Sequence, residues 1–196
     1  VDKIFGRWET LLNAEPSHSG TPYLDGMWSY VIGSAYAATD QVRQAEAELE
    51  NIRRQASDGT VDSTGVNPTP ASHILSLAGF ALEGEIKEAL GDLDGAINAY
   101  RRAVQLEDTN DYTEPPDWSQ SMRLYLGAAL LEAGRAVDAE AVFRRDLEWN
   151  QQSGWATYGL YQALLAQEKA AEAAIVNRQF QSLWRNADVV LERSRL

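Results

Sequence analysis

Cysteine is absent from all 196 residues. Disulfides, thiolate metal sites and cysteine nucleophiles are excluded together, while reducing and oxidising compartments both stay open. Histidine is nearly absent as well. His18 and His73 are the only two, too few for a multi-histidine zinc site. Charges break every apolar stretch well short of the roughly 18 residues of a membrane span, so no membrane insertion is expected. The opening Val1-Asp2-Lys3-Ile4-Phe5 has neither the basic nor the apolar region of a secretory signal, and it lacks an initiator Met. Nothing fixes a compartment, with the cytoplasm favoured. No phosphate loop, nucleophile elbow, zinc motif or calcium loop occurs. The chain therefore reads as a non-enzyme without a cofactor.

Positive charge is also scarce: 17 basic residues face 29 acidic ones, a net charge of −12. Binding to phosphate backbones or anionic lipid depends on Lys and Arg displacing counterions, and this surface opposes it. The basic pairs Arg53-Arg54, Arg101-Arg102 and Arg144-Arg145 fall late in expected helices, where cations complement the helix dipole. Nucleic acid is not the expected partner.

What the sequence has is helical periodicity. Apolar residues recur at helical spacing in four stretches, about 24–56, 71–107, 117–149 and 154–196, each broken near its middle. The breaks fall at Thr39-Asp40-Gln41, Leu90-Gly91-Asp92, Ala133-Gly134-Arg135 and Gln167-Glu168-Lys169. One unpaired helix, 2–13, precedes them, with Ile4, Phe5, Trp8, Leu11 and Leu12 on one face. Gly91 and Gly134 can take the left-handed conformation that ends a helix. Asp92 or Asp94, and Asp138, then place acid in the first turn of the next helix. Helix, tight turn and helix make an αα-hairpin, which needs neighbours to bury its second face.

Within three hairpins a small residue in the first helix is followed twelve positions later by Ala, then four later by a large apolar residue. The sets are Gly33, Ala45, Leu49; Gly84, Ala96, Tyr100; and Gly127, Ala139, Phe143. The clearest stretch runs from Gly84 through Gly91-Asp92-Leu93-Asp94-Gly95-Ala96-Ile97 to Tyr100-Arg101-Arg102-Ala103. This pattern resembles the tetratricopeptide repeat. The likeness is degenerate: repeats are spaced 51 and then 43 residues apart, against 34 in a strict array. The excess lies in the loops 57–70 and 108–117. In the fourth stretch a 34-residue step gives Tyr161, Ala173 and Asn177, with Gln167-Glu168-Lys169 in the turn. A frame two residues earlier gives Gly159, Ala171 and Ile175. The last helix, carrying Phe180, Leu183, Trp184, Val189, Val190 and Leu191, reads as a long cap.

Three segments resemble, more closely, the C-terminal half of bacterial tetratricopeptide-repeat proteins without an assigned activity. They are Tyr112-Thr113-Glu114-Pro115-Pro116-Asp117-Trp118, the run from Leu126 to Arg135, and the end, Trp184-Arg185-Asn186-Ala187-Asp188 to Ser194-Arg195-Leu196. The resemblance implies an all-α, right-handed α-solenoid of antiparallel helix hairpins, read as one domain over 1–196. It also implies further repeats upstream, the unpaired first helix being the second half of a hairpin.

Candidate binding residues follow from that frame, because first helices line the concave groove in this family. Tyr30, Arg123, Tyr125 and Tyr158 sit on first helices, with Tyr30 and Tyr125 read as surface residues. Pro115-Pro116 stiffens the loop that offers Tyr112, Glu114 and Trp118, with Asp117 as the expected cap of the next helix. The same loop also reads as a plain connector with Trp118 packed beneath it. His73 reads as capping or solvated and His18 as surface. Glu85 and Glu88, which share a helix face, read as part of a solvated acidic surface. The leading function is a scaffold for a protein or peptide in the groove, with homo-oligomerisation left open. One alternative is a small-molecule-sensing module closed by loops 57–70 and 108–117; another is an accessory domain of an enzyme encoded upstream.

Overall fold

At four helix ends one residue is held in left-handed backbone: Asp40 and Glu168 at φ 59°, Gly91 at φ 73° and Gly134 at φ 72°. Around each, the same hydrogen bond closes the preceding helix. It runs from Gln41 N to Tyr36 O, Asp92 N to Lys87 O, Arg135 N to Leu130 O and Lys169 N to Leu164 O, at 2.8–3.0 Å. This six-to-one bond satisfies a carbonyl that the helix end leaves orphaned. Four turns of one geometry therefore make four hairpins, at the breaks expected from the sequence.

The structure is a computed structural model that describes residues 1–15, 20–64 and 68–195. Among these residues there are nine α-helices and no strand. Helices α1 (Trp8–Leu12), α2 (Pro22–Ala38), α3 (Val42–Ala56), α4 (Ala71–Ala89) and α5 (Leu93–Glu107) belong to one compact unit, 1–120. A 3-10 turn, Val61–Thr64, lies between α3 and α4. Helices α6 (Met122–Glu132), α7 (Ala136–Trp149), α8 (Gly154–Ala166) and α9 (Ala170–Trp184) form the second, 121–196. The one-domain reading of the sequence draws no such division. His18 lies outside the described residues.

Within each unit every helix packs on the next. First helices also pack side by side, α2 with α4 and α6 with α8. The spacing that permits this comes from glycine. A Cβ on Gly84 would stand 2.2 Å from the Tyr100 ring, and one on Gly127 2.3 Å from the Phe143 ring. Tyr100, Phe143, Ala96 and Ala139 are fully buried, so each large residue of a second helix seats in the notch of its own first helix. Burying a side chain of that size stabilises by about 1.5–3 kcal/mol. In the first hairpin Gly33 accepts the tip of Leu82 from α4 instead, and also faces Glu48.

Both frames weighed for the fourth hairpin are partly realised. Ala173 is buried and the turn falls at 167–169, as the 34-residue step requires. The small residue on α8, however, is Gly159, whose Cβ would meet Phe143 at 2.3 Å, and Ile175 is exposed.

Three boundaries differ from expectation. The helix expected over 2–13 is confined to Trp8–Leu12, because Gly6, at φ 63°, turns the backbone just before it. The third hairpin opens at Met122 rather than Trp118. Its cap is Ser121, whose hydroxyl accepts from Arg123 N, not Asp117. The last helix stops at Trp184, and residues 185–195 run without helix or strand.

Glu140 ties the second unit together. It accepts from Lys169 Nζ at 2.7 Å, Gln167 Nε2 at 2.8 Å and Arg144 Nε at 2.8 Å. The Lys169 bond, with those from Arg144 and Gln167, holds its carboxyl down from 4.5 to about 2. A depressed carboxyl gives stability that is complete above its unfolded value and lost as pH falls through its folded one. Unit 2 should therefore lose stability between about pH 4.5 and about 2. Denaturant midpoints taken across that range should fall less steeply in Glu140→Gln. For the notch, Ala139→Leu should overpack α6 against α7 and lower stability by about 1–3 kcal/mol. An unchanged midpoint would mean that Ala139 is not a contact point.

Candidate functional site

Tyr30 and Trp118 are brought together, as a groove reading needs, but not in the open. Their ring centroids lie 5.2 Å apart, tilted by 42°. Tyr30 is only 6% exposed, which corrects the expectation of a surface residue. Its cover comes from the other end of the unit. Lys3 Nζ stands 4.8 Å from the Tyr30 ring centroid and 2.8 Å from Glu85 Oε1, and both partners of that ion pair are nearly buried. Lys3 thus bridges α2 and α4 at this point. The expected solvated acidic surface at Glu85 and Glu88 is corrected in the same way: Glu85 is buried on Lys3, and Glu88 accepts from Tyr100 OH at 2.7 Å. Burial pushes the Tyr23 phenol up, and the charge of Asp117 adds to it.

The loop before α6 keeps two of its candidate residues in solvent. Tyr112 is 84% exposed and donates to Glu114, itself exposed; the Glu114–Pro115 peptide bond is cis. Asp111 N donates to Thr69 Oγ1 at 3.1 Å, so the two long loops are joined to one another. His73 lies in the first turn of α4, as expected, and meets a carbonyl at the end of α5. Half-buried, its Nε2 lies 3.0 Å from Leu106 O and ties the start of α4 to the end of α5.

In the second unit Arg123 is buried on α6, beside Asp146 of α7, which is 1% exposed. Desolvation pushes the Asp146 carboxyl up, although hydrogen bonds with Ser121 and Asn150 and the Arg123 charge pull it down. Tyr125 is 4% exposed, a second correction, because Arg195 covers its ring at 4.7 Å. Tyr158 is half-buried in an aromatic fan. It lies 6.2 Å from Tyr161 and 5.0 Å from Phe180, which stacks on Trp184 at 5.7 Å.

An open cleft of about 400 Å³ in unit 1 lies elsewhere, between α1, α2 and α3. Leu12 forms one wall, Trp28, Ile32 and Tyr36 of α2 the floor, and Glu48, Asn51 and Gln55 of α3 the other wall, with Asp25 and Ser29 at the side. Residues 48, 51 and 55 recur at helical spacing, so they share one face of α3. Trp28 and Tyr36 are among the first-helix aromatics, but the polar wall was not singled out from the sequence. The signal was present: three side chains of hydrogen-bonding type at i, i+3 and i+7, on a helix facing those aromatics. Unit 2 carries a groove of about 460 Å³ lined by Arg144, Leu147, Leu160, Glu172, Ile175 and Val176.

Among the described residues no group of three or more His, Asp or Glu is placed to hold a metal ion, and no helix is long and apolar enough to cross a membrane. No family model, curated protein or solved structure matches the chain.

The ion pair under Tyr30 is open to test. Removing one partner of a buried pair leaves an uncompensated charge and is strongly destabilising. Lys3→Met should lower the stability of unit 1 by roughly 3 kcal/mol, and Lys3→Met with Glu85→Leu should recover most of that loss. Denaturant midpoints of the two variants against the parent decide it.

Proposed function

We propose that this chain is a degenerate tetratricopeptide-repeat scaffold that holds a segment of another protein. The α1–α2–α3 cleft is its recognition site for a Lys or Arg side chain of that segment. The repeat reading is supported by four turns of one geometry, first helices packed side by side, and large residues seated on glycines of the partner helix. The cleft carries the functional reading. Aromatic rings, carboxylates and amides converge there at a volume that takes one or two side chains. An ammonium or guanidinium is attracted to the face of Trp28 or Tyr36 and can hydrogen-bond Glu48 or Asp25. Helix-borne walls hold these groups in place, so little ordering is needed on binding. The net charge of −12 adds long-range steering toward basic partners.

The small-molecule reading with loops 57–70 and 108–117 as a lid gains nothing from this cleft, which no described residue of either loop lines. Tyr112 and Glu114 stay outside the proposed site, and Tyr30, Trp118, Arg123 and Tyr125 act as its structural support or that of unit 2.

Labelled Lys- and Arg-containing peptides, with acidic peptides as controls, test the reading by fluorescence anisotropy. Basic peptides should bind, and more weakly as salt is raised. Glu48→Gln and Trp28→Ala should each weaken binding by about tenfold, which is roughly 1.4 kcal/mol. Equal binding of acidic and basic peptides, or unchanged binding by both variants, rejects the assignment.

A further inference from the structure

Helix α6 has no exposed face over its first nine residues: each from Met122 to Leu130 is buried. A helix of that kind has to be covered on all sides. Helices α7 and α8 supply two of the covers. The third is the irregular segment that follows α9. Residues 189–195 run without helix or strand; Leu191 and Ser194 are buried, and Ser194 and Arg195 meet the first turn of α6. Ser194 Oγ donates to Leu124 O at 2.8 Å, and the Arg195 guanidinium stands 4.7 Å from the Tyr125 ring centroid. Arg193 reaches Glu132 only at 3.9 Å, with both side chains about half exposed. Between α9 and these contacts, residues 185–188 and Val190 are exposed, and Trp184 Nε1 donates to Val189 O at 2.7 Å.

An extended peptide is held on a helical surface by such means: an aliphatic anchor, a hydroxyl on a main-chain carbonyl, and a guanidinium over an aromatic face. We infer that the α6 face of unit 2 is a receptor surface for an extended protein segment of the pattern aliphatic-x-x-Ser-Arg. The chain's own residues 191–195 occupy it in cis, and a partner carrying the same pattern displaces them. The tail is suited to exchange. It joins α9 through an exposed stretch and is held on α6 at Ser194 and Arg195, so its opening unwinds no helix. Its departure uncovers Leu124 and Tyr125, apolar surface that another segment of the same chemistry would cover again. A short tether gives the tail an effective concentration of the order of millimolar, against which a free competitor binds weakly. This surface is separate from the cleft of unit 1, and either assignment can fail without the other.

A labelled peptide of residues 187–195 is titrated by fluorescence anisotropy against the full chain and against a chain ending at Asp188. The shortened chain should bind at least about tenfold more tightly, since its site is no longer occupied. Peptides carrying Ser194→Ala or Arg195→Ala should lose about fivefold, the effect of roughly 1 kcal/mol. A shortened chain that keeps its helical circular dichroism and cooperative melting yet binds no peptide overturns the proposal. So does equal binding by the full and shortened chains. If shortening unfolds unit 2, hydrogen exchange in the full chain decides. Amides of 189–195 exchanging well ahead of those in α6–α8 support a displaceable tail; exchange of all of them in a single step overturns it.

Discussion

The ring of Phe143 lies against two backbone positions where a side chain has no room. A Cβ on Gly127 of α6 or on Gly159 of α8 would each stand 2.3 Å from it. Interiors pack at crystal-like density, so a gap of one methyl group between helices is felt and a clash of one methyl group forces them apart. A single ring between two glycines thus sets how near α6, α7 and α8 come to one another. Tyr100 on Gly84 does the same for α4 and α5. The notches also explain why first helices are buried nearly all round while second helices keep a wet face. A first helix meets its own partner and the first helix of the next hairpin, and in each unit a stretch of irregular chain as well.

That last contact is where reading from sequence alone failed. Hairpins, turns and the small–small–large sets depend on residues close together in the chain, and periodicity reports such neighbours well. The turns at Asp40 and Glu168 were legible although neither residue is glycine, because polar residues interrupt the apolar spacing there. Tyr30 and Tyr125 were misread as surface residues for a different reason. The groups that cover them, Lys3 with its partner Glu85 and Arg195 with Ser194, lie far away in sequence. Nothing in the local pattern around either tyrosine carries that information. The cleft wall of Glu48, Asn51 and Gln55 was overlooked because polar residues on an outer helix face are ordinarily just solvated.

Buried charge is handled in two ways. Glu85 meets a lysine brought in from the first residues, while Asp146 sits near Arg123 and receives neutral donors from Ser121 and Asn150. Desolvation is a large penalty that a partner repays only at close range. The direct ion pair keeps Glu85 matched by a full opposite charge. Asp146 keeps no such close partner charge among the described residues, and desolvation pushes its carboxyl up. Exposed pairs such as Arg53 with Glu50 contribute little beside these.

In unit 1, α2 and α4 lie side by side, with Leu82 reaching the notch at Gly33, although residues 57–70 lengthen the connection between them. Distance along the chain and distance in space are therefore decoupled at that junction. Lengthening a connection of this kind changes closure entropy only logarithmically. A lineage could insert or remove residues there repeatedly while every notch kept its occupant. Detecting such a protein by repeat length would then fail where detecting it by contact pattern succeeds.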